Sequence, residues 1–112
     1  MTAENTKEIV EQLKKEIEDI PERGLFITIH CTDRTVRVKC YGPEDGFSIC
    51  VETKETIVSL IHPQVIRFNE TTHDIDCFVS PPALKDMWYI GSVNLEGATD
   101  YTVQYLRPEV TE

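Results

Sequence analysis

The sequence lacks the short motifs by which many enzyme classes can be recognised. Its 112 residues contain no glycine-rich phosphate loop, no GxSxG nucleophile motif, no HExxH zinc motif and no EF-hand loop. The chain is also short for an enzyme that forms its own substrate pocket. We therefore favour a non-enzymatic protein over an enzyme, and we assign no catalytic residue, no metal ligand and no cofactor.

Long apolar runs are missing as well. No run approaches the roughly 20 residues that a membrane helix needs. The N-terminal stretch MTAENTKEIVEQLKKE has no apolar core of the kind found in signal peptides. We expect a cytoplasmic protein that does not associate with membranes.

Paired cysteine motifs are a third absence. The cysteines are Cys31, Cys40, Cys50 and Cys77, and none of them is spaced as CxxC or CxxH. All of them fall in segments with β-like patterns, where a reduced cysteine acts as a small apolar side chain. We expect free thiols, although the sequence itself does not fix their redox state.

Basic residues are scarce. The chain has 11 lysines and arginines against 20 acidic residues, which gives a formal net charge of −9. Such a surface repels nucleic acid phosphates and anionic lipid head groups at long range. Nucleic acid is therefore an unlikely general partner, whereas a basic protein would be attracted.

The amphipathic N-terminal segment predicts a helix that is capped by Asn5 or Thr6 and runs to about Asp19. The size of the chain predicts a single domain over residues 1–112. The apolar positions with helical spacing are Ile9, Val10, Leu13, Ile17 and Ile20. The acidic residues of the helix are the predicted partner-binding surface: Glu8, Glu11, Glu16, Glu18 and Asp19.

Alternating apolar residues then predict a three-stranded antiparallel meander over residues 25–31, 36–40 and 47–51. A two-residue turn at Asp33 and Arg34 would bring three apolar pairs together: Cys31 with Val36, Ile29 with Val38 and Ile27 with Cys40. The next turn would set Cys40 against Ile49 and Val38 against Val51. Asp-Arg is not a favoured turn pair, so a longer loop remains an alternative.

The second half of the chain is less clearly patterned. Residues 53–62 fit either a short helix capped by Thr53 or a strand rich in β-branched residues, and we favour the helix. Strands are predicted near residues 65–68, 75–79 and 101–106. Ser80, Pro81 and Pro82 predict the start of a helix over residues 83–93, with Trp88 towards the core.

These elements predict an α+β fold. A mostly antiparallel sheet of five or six strands, including the N-terminal meander, packs against the N-terminal helix and one or two further helices.

The polar face of the meander is a candidate ligand site. It combines basic and aromatic residues on an acidic chain: Phe26, His30, Arg37, Lys39 and Tyr41. Such groups bind small anions, nucleotides or single-stranded nucleic acid on the surface of a sheet. The simpler alternative is a solvent-exposed face with weak pairs such as Arg37 with Glu52.

A polar loop suggests a third interpretation, a metal-dependent enzyme that uses residues 70–76 with His62. Asp74 and Asp76 would point the same way along a strand, close to Glu70 and His73. An ordinary solvated turn has the same composition.

The function that we favour is protein–protein interaction. A small acidic chain without catalytic motifs is typical of a regulator, inhibitor or adaptor. An open sheet has edge strands that accept a strand from a partner or from a second copy. We therefore expect another protein as the partner, with a basic protein favoured by the charge, and homodimerisation as a natural way to cover an edge.

Overall fold

The computed structural model describes residues 2–18, 20–42, 45–55, 57–80 and 86–107. Within these ranges the chain forms one helix and eight strands. In chain order they are α1 (Thr2–Glu16), β1 (Leu25–Cys31), β2 (Thr35–Cys40), β3 (Phe47–Glu52), β4 (Ile57–Ile61), β5 (Val65–Asn69), β6 (Asp74–Val79), β7 (Trp88–Asn94) and β8 (Ala98–Tyr105). The predicted α+β class, with a helix packed on antiparallel sheet, is confirmed.

The strands form two antiparallel sheets, one of five strands in the order β4-β3-β2-β1-β8 and one of three in the order β5-β6-β7. Their inner faces and α1 share one apolar core. Its largest fully buried hydrophobic side chains include Leu13, Ile27, Ile29, Ile49, Phe68 and Ile75. The described residues contain no buried side-chain nitrogen or oxygen without a hydrogen-bond partner.

The helix covers one side of the two sheets. Ile9, Val10 and Leu13 are buried, as their helical spacing predicts. The helix contacts β8 and β5, which are edge strands of the two sheets. The opposite edges, β4 and β7, are therefore the ones that α1 leaves uncovered. No helix among the described residues has the length and apolar character needed to cross a bilayer.

The meander is present, but its predicted registers are wrong by two residues. Ile29 lies opposite Val36, and Val38 lies opposite Ile49. The first turn is centred on Thr32 and Asp33, where the Cys31 amide donates to the Arg34 carbonyl at 2.9 Å. A slip of two residues keeps every apolar side chain on the same face, so the hydrophobic pattern cannot distinguish the two registers.

This earlier turn coincides with a tertiary contact. It frees Arg34 to donate from Nη2 to the carbonyl oxygens of Asn94 at 2.7 Å and Glu96 at 3.1 Å. Arg34 thereby ties the β1–β2 turn to the connection between β7 and β8. Such a long-range contact has no local signature in the sequence.

The two further predicted helices are wrong for the part of the chain that the structure describes. Ile57–Ile61 is strand β4 and pairs with β3, so the β-branched residues of this segment outweigh the possible cap at Thr53. Trp88–Asn94 is strand β7 and pairs with β6. The proposed helix start at Pro81 and Pro82 lies outside the described residues. The described strands outnumber the five or six that we predicted.

The buried helix stripe leads to a stability prediction. Leu13→Ala should lower the free energy of unfolding by about 2–5 kcal/mol, because a fully buried leucine leaves a cavity when it is truncated. The same change at Leu60, which is 60% exposed, should cost no more than about 0.5 kcal/mol. Urea unfolding followed by circular dichroism measures both values. Equal losses in the two variants would contradict the packing of α1.

Candidate functional site

The predicted ligand face is assembled only in part. Phe26 and Lys39 lie directly opposite each other on β1 and β2. The Lys39 Nζ atom is 5.7 Å from the centroid of the Phe26 ring and 5.8 Å from that of the Tyr41 ring. An ammonium at these distances is attracted to the ring faces. We call these three residues the Lys39 cluster.

The other two predicted ligand residues share this face but lie outside the cluster. Arg37 forms an ion pair with Glu52, which neutralises its charge locally. His30 is exposed and lies directly opposite Asp100 of β8. The simpler interpretation of this face, with its Arg37–Glu52 pair, accounts for these two residues.

A shallow cleft of about 250 Å³ adjoins the Lys39 cluster. Tyr41, Ser48 and His62 line it, and Ser48 lies directly opposite Lys39 on β3. Asp45 lines the same cleft and opposes the binding of an anion there. His62, which the sequence suggested as a metal ligand, thus lies beside Tyr41.

The acidic residues of the predicted N-terminal helix, which continue beyond the end of α1 at Glu16, do not form one uniform surface. Glu8 and Glu18 are exposed, whereas Glu11 and Glu16 are half-buried and Asp19 lies outside the described residues. The exposed lysines Lys7 and Lys15 are interspersed among them, and Lys14 pairs with Glu70 at 3.3 Å. The helix therefore presents mixed charge to solvent.

One of these acids has a structural contact. The Tyr101 hydroxyl donates to Glu16 Oε2 at 3.2 Å, which joins β8 to the helix. Burial raises the pKa of Tyr101, and the negative charge of Glu16 and this hydrogen bond raise it further. Glu16 thus fixes the position of α1 on the sheet.

The polar side chains in the loop around residues 70–76 each contact a different partner. His73 Nδ1 lies 3.0 Å from Glu96 Oε2, and Asp74 Oδ1 accepts a hydrogen bond from the side-chain amide of Asn94 at 2.8 Å. Asp76 accepts from the Ser92 hydroxyl at 2.9 Å. Across the described ranges, no three histidine, cysteine or acidic side chains converge as metal ligands do. The metal-dependent interpretation therefore has no assembled ligand set among these residues.

All the cysteines are free thiols. Cys40 and Cys77 are buried, and Cys31 and Cys50 are half-buried. Burial raises the pKa of the Cys77 thiol to about 11, and the charge of Asp76 contributes in the same direction. Burial likewise raises the pKa values of Cys31 and Cys40. The raised pKa values lower the thiolate fractions of Cys31, Cys40 and Cys77 at neutral pH, which makes these three cysteines poor nucleophiles.

The largest unpredicted feature is an exposed apolar strip at the start of β7. Met87, Trp88, Tyr89 and Ile90 are consecutive, and each is at least 41% exposed. Trp88 is 56% exposed, so its predicted place in the core is wrong. Consecutive residues of a strand point to opposite faces, so both faces of β7 are exposed here. We call these four residues the apolar strip.

The strip ends where β7 enters the core. A Cβ atom on Gly91 would lie 3.9 Å from the Ile61 side chain of β4, and Val93 and Leu95 beyond it are buried. Gly91 has a φ of 151°, which favours glycine, and the ladder with β6 is bulged beside it. Among the residues that the structure describes, no strand covers the first half of β7 on the edge that α1 leaves uncovered.

A signal for this strip was present in the sequence. Residues 87–95 contain no charged side chain, although charged residues make up 28% of the chain, and Asp86 and Glu96 flank the run. Edge strands usually carry charges that prevent association. Because we predicted a helix for this segment, its lack of charge did not indicate an edge strand.

No protein-family model, curated protein or solved structure matches this chain. The function must therefore be argued from the apolar strip and the Lys39 cluster.

The buried thiols lead to a prediction on reactivity. In the folded protein at pH 8, Cys77 should resist iodoacetamide, because a pKa of about 11 makes its thiolate fraction roughly a hundredfold smaller than at the ordinary value of 9.0. The half-buried Cys50 should be alkylated before it, and unfolding in urea should expose both. Peptide mass spectrometry measures the order of labelling. Rapid native labelling of Cys77 would contradict its burial.

Proposed function

We propose that the chain is a non-enzymatic protein–protein interaction module, a small acidic regulator, inhibitor or adaptor. Its binding surface is the apolar strip on β7, and its ligand is an uncharged, extended segment of a protein. The observation that carries this proposal is the exposure of Trp88 and Tyr89, at 56% and 60%, on an edge strand.

The chemistry of an edge strand supports this choice of surface. Within the described part of the chain, β7 pairs with β6 on one side only, so its other side offers backbone groups to an added strand. Tryptophan and tyrosine are the residues that most often dominate the binding energy of protein interfaces. Tyr89 contacts the edge of Phe78 and hydrogen-bonds to Ser92, yet it stays 60% exposed, and Met87, Trp88 and Ile90 are exposed beside it. A partner would remove this apolar surface from water.

The bulge in β7 shapes how a partner would be held. Tyr89 pairs with Phe78 and Gly91 with Cys77, which leaves Ile90 without a residue opposite it on β6. A bulge interrupts regular backbone pairing on an edge. The side chains of the strip therefore contribute to binding together with the backbone of β7.

Charge defines the partner further. The net charge of −9 attracts a basic protein at long range, but residues 87–95 offer no carboxylate for a basic side chain to pair with. The segment in contact with the strip is therefore apolar and uncharged, whatever the overall charge of its protein. The expected homodimer is one way to meet this requirement.

The test is a photo-cross-linking amino acid placed at position 89. Irradiation in a lysate of the source cells should attach a peptide of a bound protein, and mass spectrometry should identify that peptide as an uncharged extended segment. The matched control carries the same amino acid at position 105, since Tyr105 is also an exposed tyrosine of an edge strand, at 53%.

Adducts that form at position 89 and are absent at position 105 would support the proposal. Equal labelling at both positions would show nonspecific contact and would contradict it. Absence of labelling at position 89 would contradict it as well.

A second candidate function rests on the Lys39 cluster. The ammonium of Lys39 lies within 6 Å of two ring centroids, and none of the ion pairs in the described ranges includes it. Tyr41 is 50% exposed beside the cleft, so a planar base could stack on its ring. The phosphate would contact Lys39, which is not among the residues that line the cleft with Asp45. The ligand of this candidate function is a nucleoside phosphate.

Fluorescently labelled adenosine monophosphate tests this second function. Lys39→Glu should weaken its binding at least about tenfold, because the change removes the one charge that would contact the phosphate and adds repulsion. Lys15→Glu changes the same charge on the exposed surface of α1 and should have no effect. Fluorescence anisotropy measures both affinities. Equal affinities, or no binding to the unmodified protein, would exclude the function.

A further inference from the structure

We propose that a second copy of this chain occupies the apolar strip, with β7 of one copy antiparallel to β7 of the other about a two-fold axis. This inference rests on the proposed function, because it names the protein segment that binds the same surface. The two three-stranded sheets would then join into one sheet of six strands.

The distribution of charge favours a second copy as the occupant. Two chains that each carry −9 repel each other, and this repulsion opposes contact least where neither surface carries a charge. Residues 87–95 provide an uncharged surface on an edge strand, and β7 of a second copy is itself an uncharged strand of the required kind. The acids of α1 lie near β5 and β8, away from this edge, so they stay far apart in the pair.

The faces of β7 define the register of the pair. Tyr89 lies opposite Phe78, and Ser92 lies opposite Asp76. Phe78 and Asp76 are two residues apart on β6 and point to the same face. Tyr89 and Ser92 therefore share that face of the sheet. Trp88 and Val93 belong to the other face, because they lie opposite Val79 and Ile75. Paired strands place residues of the same face opposite each other.

A two-fold axis between Ile90 and Gly91 satisfies this condition. It sets Tyr89 of each copy opposite Ser92 of the other copy, and Trp88 of each copy opposite Val93 of the other. Each pair occurs twice because a two-fold interface is symmetric. Asp86 would then face Leu95, so no two like charges lie opposite each other. Trp88 would be partly withdrawn from water, which makes the one tryptophan of the chain a probe of the interface.

The test compares the purified full chain with two matched variants by sedimentation velocity over a wide range of concentration. The unmodified protein should reach twice the monomer mass as concentration rises, and its Trp88 emission should shift to shorter wavelength in parallel. Tyr89→Asp places two carboxylates in the interface and should raise the dimer dissociation constant at least tenfold. Tyr105→Asp, at an exposed residue of β8, should leave it unchanged. Circular dichroism confirms that both variants fold.

A dimer that is equally weakened by both variants, or by neither, would overturn the β7 interface. With the cross-linker at position 89, the purified dimer should yield an adduct to its own peptide around Ser92. A protein that stays monomeric while position 89 cross-links to other proteins would overturn the second copy and leave the proposed function standing. A monomer without any adduct at position 89 would overturn both.

Discussion

The packing of α1 against two strands from different sheets is the contact on which the rest of this structure depends. Val10 and Leu13 are fully buried, and they belong to the same core as Ile27 of the larger sheet and Phe68 of the smaller one. The helix thereby closes the side of the sandwich formed by β8 and β5 and leaves β4 and β7 as uncovered edges. The position of the helix thus decides which surface is left for association.

The sequence was most informative where side-chain periodicity alone decides the structure. The helical stripe and the alternation in β1, β2 and β3 predicted that these elements exist. The bounds of α1 differ from the prediction, because the helix begins at Thr2, before the predicted cap at Asn5 or Thr6, and ends at Glu16 rather than near Asp19. Pairing registers were wrong by two residues because a period of two is unchanged by that slip. Residues 57–61 and 88–94 were misassigned because capping signals act locally, whereas their strand pairing depends on β3 and β6, which no local pattern reveals.

The surface residues divide in the same way, into those that strand periodicity predicts and those that depend on long-range pairing. Phe26, Lys39 and Tyr41 could be grouped from the sequence because neighbouring strands of a meander bring alternating residues to one face. The ion pair that separates Arg37 from them was foreseen as the simpler interpretation. The exposure of Trp88 was missed because tryptophan is buried on average, and the uncharged run around it indicates an exposed edge only once the sheet order shows that β7 is one.

The pairing of β1 with β8 links residues 25–31 to residues 98–105, across most of the chain. On the ribosome, β1 would emerge and join the meander long before its second neighbour has been made. Until then one edge of β1 is unpaired, and the inner face of the growing sheet is not yet fully covered by the other strands. Closing the larger sheet requires contacts of high sequence separation, which slows folding. A nascent chain of this protein is thus exposed to misassociation through β1 until residues 98–105 have been made.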